Sequence, residues 1–187
     1  MITIIPKPTD IPSDNSTRMV MDELDRMGEK YRAVFLETID PFSSPLHGET
    51  IWACGIRQNG HNFETLSALA LQNRVINPPE GIVTCASKVQ TSALLFRDGV
   101  PTPRTFFTES RHLAGTFISS CGKAVSKPVY GFDGFGITLV EDESHLGDPP
   151  FYLQEYIPND RDFRVFVIGG KAVGAIMRVS SHLTHNI

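Results

Sequence analysis

The sequence is short of the features that mark several whole classes of protein. Only three cysteines occur in 187 residues, Cys54, Cys85 and Cys121. They are widely spaced, so neither a Cys-x-x-Cys redox motif nor a thiolate metal site is encoded, and buried free thiols are the expected state. No apolar run approaches the roughly 18 to 20 residues that cross a bilayer. The start, Met1-Ile2-Thr3-Ile4-Ile5-Pro6, has neither the basic flank nor the long apolar stretch of a signal peptide. A cytoplasmic chain without a membrane partner is expected. Positive charge is also scarce: 17 Lys and Arg against 21 Asp and Glu leave a net charge of -4. That balance excludes the basic footprint a nucleic acid demands. There is no internal repeat, no low-complexity tract and no Walker loop ending in Gly-Lys-Ser/Thr.

What is present is an apolar content of 41%, enough for the core of one or two domains. The first half alternates short apolar runs with helix-like stretches, the signature of βαβ units around a mostly parallel sheet. Ile2 to Ile5 reads as a strand. Ser16 reads as the cap of a helix whose apolar stripe is Met19, Val20, Leu24 and Met27, with Gly28 as its stop. Strands follow at Tyr31 to Leu36 and Ile51 to Ile56, then a helix over Asn62 to Gln72 and a short run at Val75-Ile76-Asn77. The Pro78-Pro79 break places a domain boundary there, giving an N-terminal α/β domain over 1–79 and a second domain over 80–187. Beyond it, Val83, Ala86, Val89, Leu94 and Leu95 predict one helix, with Lys88 inside it. A strand at Arg104 to Thr108 and a helix from Ser110 to Cys121 lead to Ala124-Val125-Ser126-Lys127-Pro128. Strands are predicted at Ile137 to Glu141, Tyr152 to Ile157, Phe163 to Ile168 and Ala172 to Val179, the last two joined by Gly169-Gly170, a strong hairpin signal.

The chemistry-bearing residues each allow two readings. Gly131, Gly134 and Gly136, between two strands, would let backbone amides approach phosphate oxygens as a hairpin lid, or simply form a turn. Lys127 at a strand end and Lys88 on its helix would hold phosphates, or reach into solvent as ordinary surface lysines. Glu155 and Tyr156 would form a hinge whose backbone groups read an adenine edge, or lie on the exposed side of a half-buried strand. Asp160, Arg161, Asp162 and Arg164 form a charged group suited to phosphate, carboxylate or ribose, or a surface ion-pair cluster. His182 and His185 stand three apart without further ligands at suitable spacing, so no metal site is expected from them.

In order and spacing these segments together resemble the RimK family of ATP-grasp ligases, over residues 75–179. Val75-Ile76-Asn77-Pro78-Pro79-Glu80 resembles the family's approach to the first ATP lysine, here Lys88. Leu94-Leu95 and Asp98-Gly99-Val100-Pro101-Thr102-Pro103 resemble its following turn. Ala124 to Pro128 with Gly131-Phe132-Asp133-Gly134-Phe135-Gly136-Ile137 is similar to the second lysine and phosphate lid. Leu153-Gln154-Glu155-Tyr156-Ile157 looks like the adenine hinge, and Arg161 to Lys171 is close to the segment whose Asp, here Asp162, contributes to nucleotide binding.

The resemblance implies an α+β ATP-grasp fold with an incomplete C-terminal subdomain. It implies ATP and Mg2+ as cofactors, and a carboxylate substrate joined to an amino acid, usually glutamate, through an acylphosphate. Arg164 and Arg178 would steady the carboxylate or the transferred phosphoryl group, and Asn186 would match the asparagine of an Arg-x-Asn element in which Thr184 replaces the arginine. The chain stops at Ile187, before the segment in which the family places its acidic and asparagine magnesium ligands. A fragment, or a shortened relative that binds ATP without turnover, is therefore expected. A homo-oligomer is compatible with the family, but no interface is legible. The rival outside the family is a sugar-phosphate or dinucleotide-binding α/β protein with a coincidental glycine loop.

Overall fold

The computed structural model describes residues 1–8, 15–131 and 134–179. Two compact units divide the chain, Met1–Ala86 and Ser87–Ile187, each with its own apolar core.

In the first unit, the alternation of β-branched runs and helices gives β1 (Ile2–Ile5), α1 (Ser16–Met27), β2 (Tyr31–Ala33), β3 (Thr50–Ala53), α2 (His61–Ala70), β4 (Arg74–Ile76) and α3 (Pro79–Ala86). The strands form one parallel sheet in the order β2-β1-β3-β4. Parallel neighbours need crossover segments, which α1 and α2 supply. The α1 cap differs from the sequence reading: Asn15 accepts the Arg18 N–H at 2.7 Å and Ser16 opens the helix. Gly28 ends it as expected, in the left-handed region at φ 70°. Met19 and Met27 do not join the buried stripe, because the inward face of α1 centres on Thr17 and leaves them 73% and 59% exposed. The strand read over Tyr31 to Leu36 stops at Ala33, and Leu36 instead begins a 3-10 turn, where its side chain is fully buried.

In the second unit come α4 (Lys88–Arg97), β5 (Thr105–Thr108), α5 (Arg111–Cys121), β6 (Ala124–Lys127), β7 (Thr138–Val140), β8 (Phe151–Glu155), β9 (Arg161–Ile168) and β10 (Lys171–Val179). β5, β8, β6 and β7 make an antiparallel sheet in that order. Ser110 caps α5 by accepting the Leu113 N–H at 3.3 Å. The helix lays Ala114, Phe117 and Ile118 on Ala124, Val140, Phe151 and Leu153, each large side chain contributing about 1.5–3 kcal/mol by burial.

β9 and β10 form a separate antiparallel ribbon. Gly169 and Gly170 both have positive φ, 58° and 75°, as a two-residue primed turn requires. Strand alternation gives the ribbon unlike faces. Asp162, Arg164 and Phe166 lie opposite Arg178, Ile176 and Gly174, while Phe163 and Val165 lie opposite Met177 and Ala175.

None of the three cysteines forms a disulfide, but they are less buried than the composition suggests: Cys85 is exposed and the other two are half-buried. No described helix is long and apolar enough to cross a membrane.

Candidate functional site

The single helix read across Val83 to Leu95 is in fact two, and the break places the first lysine. Ser87 interrupts the helical backbone with extended dihedrals, and its buried hydroxyl accepts the Gln90 N–H at 3.2 Å as an N-cap. Lys88 thus becomes the first residue of α4, where an amide has no partner within the helix. It donates instead to the Val129 carbonyl at 3.0 Å. Its Nζ donates to the Gly131 carbonyl at 3.2 Å. Backbone and side chain of Lys88 therefore both hold the segment that follows β6.

Lys127 ends β6, directly opposite Tyr152 of β8. The Tyr152 hydroxyl and Ser92 Oγ share a hydrogen bond of 2.7 Å, which ties α4 to the same strand. Lys127 Nζ donates to Gln154 Oε1 at 2.8 Å. Burial holds the Lys88 ammonium below the usual lysine range. Lys127 is lowered by burial first, and then by the positive charge of Lys88. Neither lysine makes an ion pair among the described residues. Two partly desolvated, mutually repelling cations without a carboxylate are unfavourable on their own, and an anionic ligand relieves both terms.

The glycines fit close quarters. A Cβ on Gly131 would stand 3.0 Å from Pro128 Cγ and 3.6 Å from Lys88 Nζ. Gly136 sits at φ 73°, a region that penalises any side chain. Gly134 belongs to the same loop; Phe132 and Asp133 lie outside the described residues, as do Asn186, Thr184, His182 and His185.

At the hinge, the amides of Glu155 and Tyr156 are already committed. They donate to the carbonyls of Arg104 at 2.8 Å and Lys123 at 3.1 Å. What remains is the Glu155 carbonyl and, two residues on, the Ile157 amide, both without a backbone partner among the described residues. The sequence reading includes Ile157 in the hinge segment but singles out Glu155 and Tyr156; the signal for Ile157 as a candidate donor is its position just past the end of a paired strand. Gln154 was overlooked, since nothing in one sequence shows which side chain a strand-end lysine meets.

The charged segment divides in two instead of forming one cluster. Asp160 and Arg161 pair with each other at 2.7 Å. Asp162 faces Arg178 across the ribbon and accepts its Nε–H at 2.7 Å. Arg164 shares that face, opposite Ile176, and has no ion pair among the described residues. Among the described residues no hydrogen bond or ion pair links Arg164 or Arg178 to Gly131 or Gln154, the groups that the two lysines meet. No group of three or more His, Cys, Asp or Glu among the described residues could hold a metal ion.

Comparison with known proteins bears on this geometry. The model of the RimK-like ATP-grasp domain matches residues 85–186. The tetrahydromethanopterin:alpha-L-glutamate ligase of Methanosarcina acetivorans is 39% identical over 125 residues, covering 56% of this chain and 39% of that protein. The protein of the same name from Methanocaldococcus jannaschii is 31% identical over 170 residues, covering 80% of this chain and 54% of its own length. The chain thus spans about half, or less, of the curated relatives it matches. In structure, the ATP-grasp ligase PsnB complexed with a minimal precursor superposes with a TM-score of 0.77 at 18% identity, over 97% of this chain and 72% of that one, and it shares the fold. With its matched segment covering more than half of the sequence, the chain belongs to the RimK-like ATP-grasp family.

Proposed function

We propose that the chain carries the ATP-binding part of a carboxylate–amine ligase that works through an acylphosphate and adds glutamate to a carboxyl group of a cofactor or protein. The observation that supports it best is the pair of partly desolvated ammonium groups at Lys88 and Lys127, with no carboxylate partner among the described residues, set beside the glycine loop. In this reading both lysines hold phosphate oxygens of ATP, and Gly131, Gly134 and Gly136 let the loop lie close over them. The Glu155 carbonyl accepts from the adenine amino group while the Ile157 amide donates to the adjacent ring nitrogen. Asp162 orients Arg178, and Arg178 with Arg164 steadies the acceptor carboxylate or the phosphoryl group in transit.

The reaction needs no enzyme nucleophile. A carboxylate oxygen of the acceptor attacks the γ-phosphorus and ADP leaves. The amine of the incoming amino acid then attacks the acyl carbon, inorganic phosphate leaves, and the amine gives up a proton. Positioning and neutralisation of phosphate charge are the protein's contribution. The names of the two archaeal relatives support glutamate as the amine and a pterin-type acceptor. Thermal denaturation with and without ATP tests the nucleotide step. A ligand at about 100 times its Kd adds about 2.7 kcal/mol of stability, and Lys88→Ala or Lys127→Ala should remove about half of that gain or more. Equal melting with and without ATP in the unaltered chain overturns the proposal. Stabilisation without ADP release, given glutamate and a pterin carboxylate, would leave an ATP-binding module that does not turn over.

A further inference from the structure

Lys127 is aimed by a directional relay that ends in the backbone. Gln154 lies opposite Val125 on β6 and opposite Thr105 on β5, so its side chain reaches Lys127 diagonally on one side and Thr105 directly on the other. Thr105 Oγ1 donates its only hydrogen to the Pro103 carbonyl at 2.9 Å. Its lone pairs can therefore only accept, and they accept from Gln154 Nε2 at 3.1 Å. That fixes which end of the amide is which: the oxygen of Gln154 must face Lys127 Nζ, at 2.8 Å. All three residues stand on adjoining strands of one sheet, a more rigid support than a loop.

We propose that Gln154, oriented by Thr105, is a positioning residue that holds the Lys127 ammonium in place for a nucleotide phosphate without spending its charge. The inference rests on the nucleotide-binding reading given above. A neutral acceptor takes one of the three N–H donors of Lys127 and leaves two for phosphate oxygens. A carboxylate at the same position would form an ion pair before any ligand arrived, and would repel the phosphates as well. The charged group set against Lys127 is Lys88 on α4, which adds to the demand for an anion.

The test uses the full chain and AMPPNP as the probe, with Gln154→Leu, Gln154→Glu, Thr105→Val and Thr105→Ser. Isothermal titration gives affinity, and NMR of the Lys127 side chain follows its titration in the ligand-free protein. We expect Gln154→Leu and Gln154→Glu to weaken AMPPNP binding about tenfold, and Thr105→Val to weaken it about threefold or more, with Thr105→Ser restoring it. Gln154→Glu should move the lysine titration upward by about one unit or more, the usual effect of an adjacent opposite charge. Gln154→Leu should move it downward, because the ammonium form loses its acceptor, whereas a merely structural role for Gln154 would leave it in place. The relay is overturned if Thr105→Val binds as the unaltered chain does, or if the Lys127 resonance is unchanged in Gln154→Leu. Failure of the unaltered chain to bind AMPPNP would sink the nucleotide reading instead, while the Lys127 titration would still report on the relay.

Discussion

Replacing Lys127 by methionine separates binding from folding in a way few surface substitutions could. The substitution keeps the unbranched stem and removes a half-buried ammonium whose described partner is the Gln154 carbonyl oxygen. In the free protein the deleted charge was unfavourable on two counts, burial and the proximity of Lys88. Against this stands the loss of one hydrogen bond, a net of about 0.5–1.5 kcal/mol, with Gln154 able to turn to water because it is only half-buried. These terms oppose each other, so free-state stability should change by no more than about 1 kcal/mol. Nucleotide binding has no such compensation. One charge-assisted hydrogen bond to phosphate is worth about 1.5–3 kcal/mol, so Kd for ATP should rise about 10- to 150-fold. Urea denaturation and isothermal titration on the same preparation measure the two quantities. An affinity within about twofold of the unaltered chain would refute the reasoning. So would a loss of free-state stability beyond about 2 kcal/mol, since Lys127 would then be a structural residue.

The depressed lysines also set a pH dependence. A lysine whose folded pKa lies below its unfolded value holds fewer protons when folded, so these two groups destabilise the chain at neutral pH and the penalty fades as pH rises through their lowered folded values. ATP binding reverses this and should draw protons in at mildly alkaline pH, visible as a dependence of titration heat on the buffer's ionisation enthalpy; proton release would contradict the assignment. Ser87→Ala removes a buried N-cap and should lower stability by about 1 kcal/mol, read from the urea midpoint, while loosening Lys88 enough to weaken ATP. Asp162→Asn breaks an ion pair whose partners are 49% and 34% exposed, so it should lower stability by less than about 1 kcal/mol. A larger loss would mean that the ribbon face carries more of the fold than its exposure implies.

How much of this was legible from the residues depends on whether a feature is set locally or by what it meets. The parallel sheet of the first unit followed from alternating runs, and the β9–β10 turn from Gly169-Gly170, because backbone geometry there is dictated by the residues themselves. The break at Ser87 was hidden because Val83, Ala86, Val89 and Leu94 keep a helical spacing straight through it. A serine in that pattern reads equally as a helix residue or a cap, and burial against its surroundings decided the matter. Met19 and Met27 were misread for the converse reason: the stripe was real in spacing, but the face turned inward is centred a residue or two away, on Thr17.

The site itself shows the same division. Both lysines and the glycine loop could be named from their order along the chain, yet the property that makes them a candidate site could not. Lys88 and Lys127 lie 39 positions apart in sequence, and only the fold brings them close enough for one charge to depress the other. Pairing at the end of β8 meanwhile consumes the Glu155 and Tyr156 amides, while the Ile157 amide has no backbone partner among the described residues. A motif therefore points to the segment proposed to read adenine, while the atoms proposed for that role come from hydrogen-bond accounting along β8. By that accounting Glu155→Ala and Tyr156→Ala should leave ATP affinity within about threefold, since their recognition groups are backbone or already paired, whereas Ile157→Pro, which deletes the amide hydrogen, should weaken ATP by about tenfold or more in titration. Equal affinities for the proline variant and the unaltered chain would show that the hinge does not read the base through that amide.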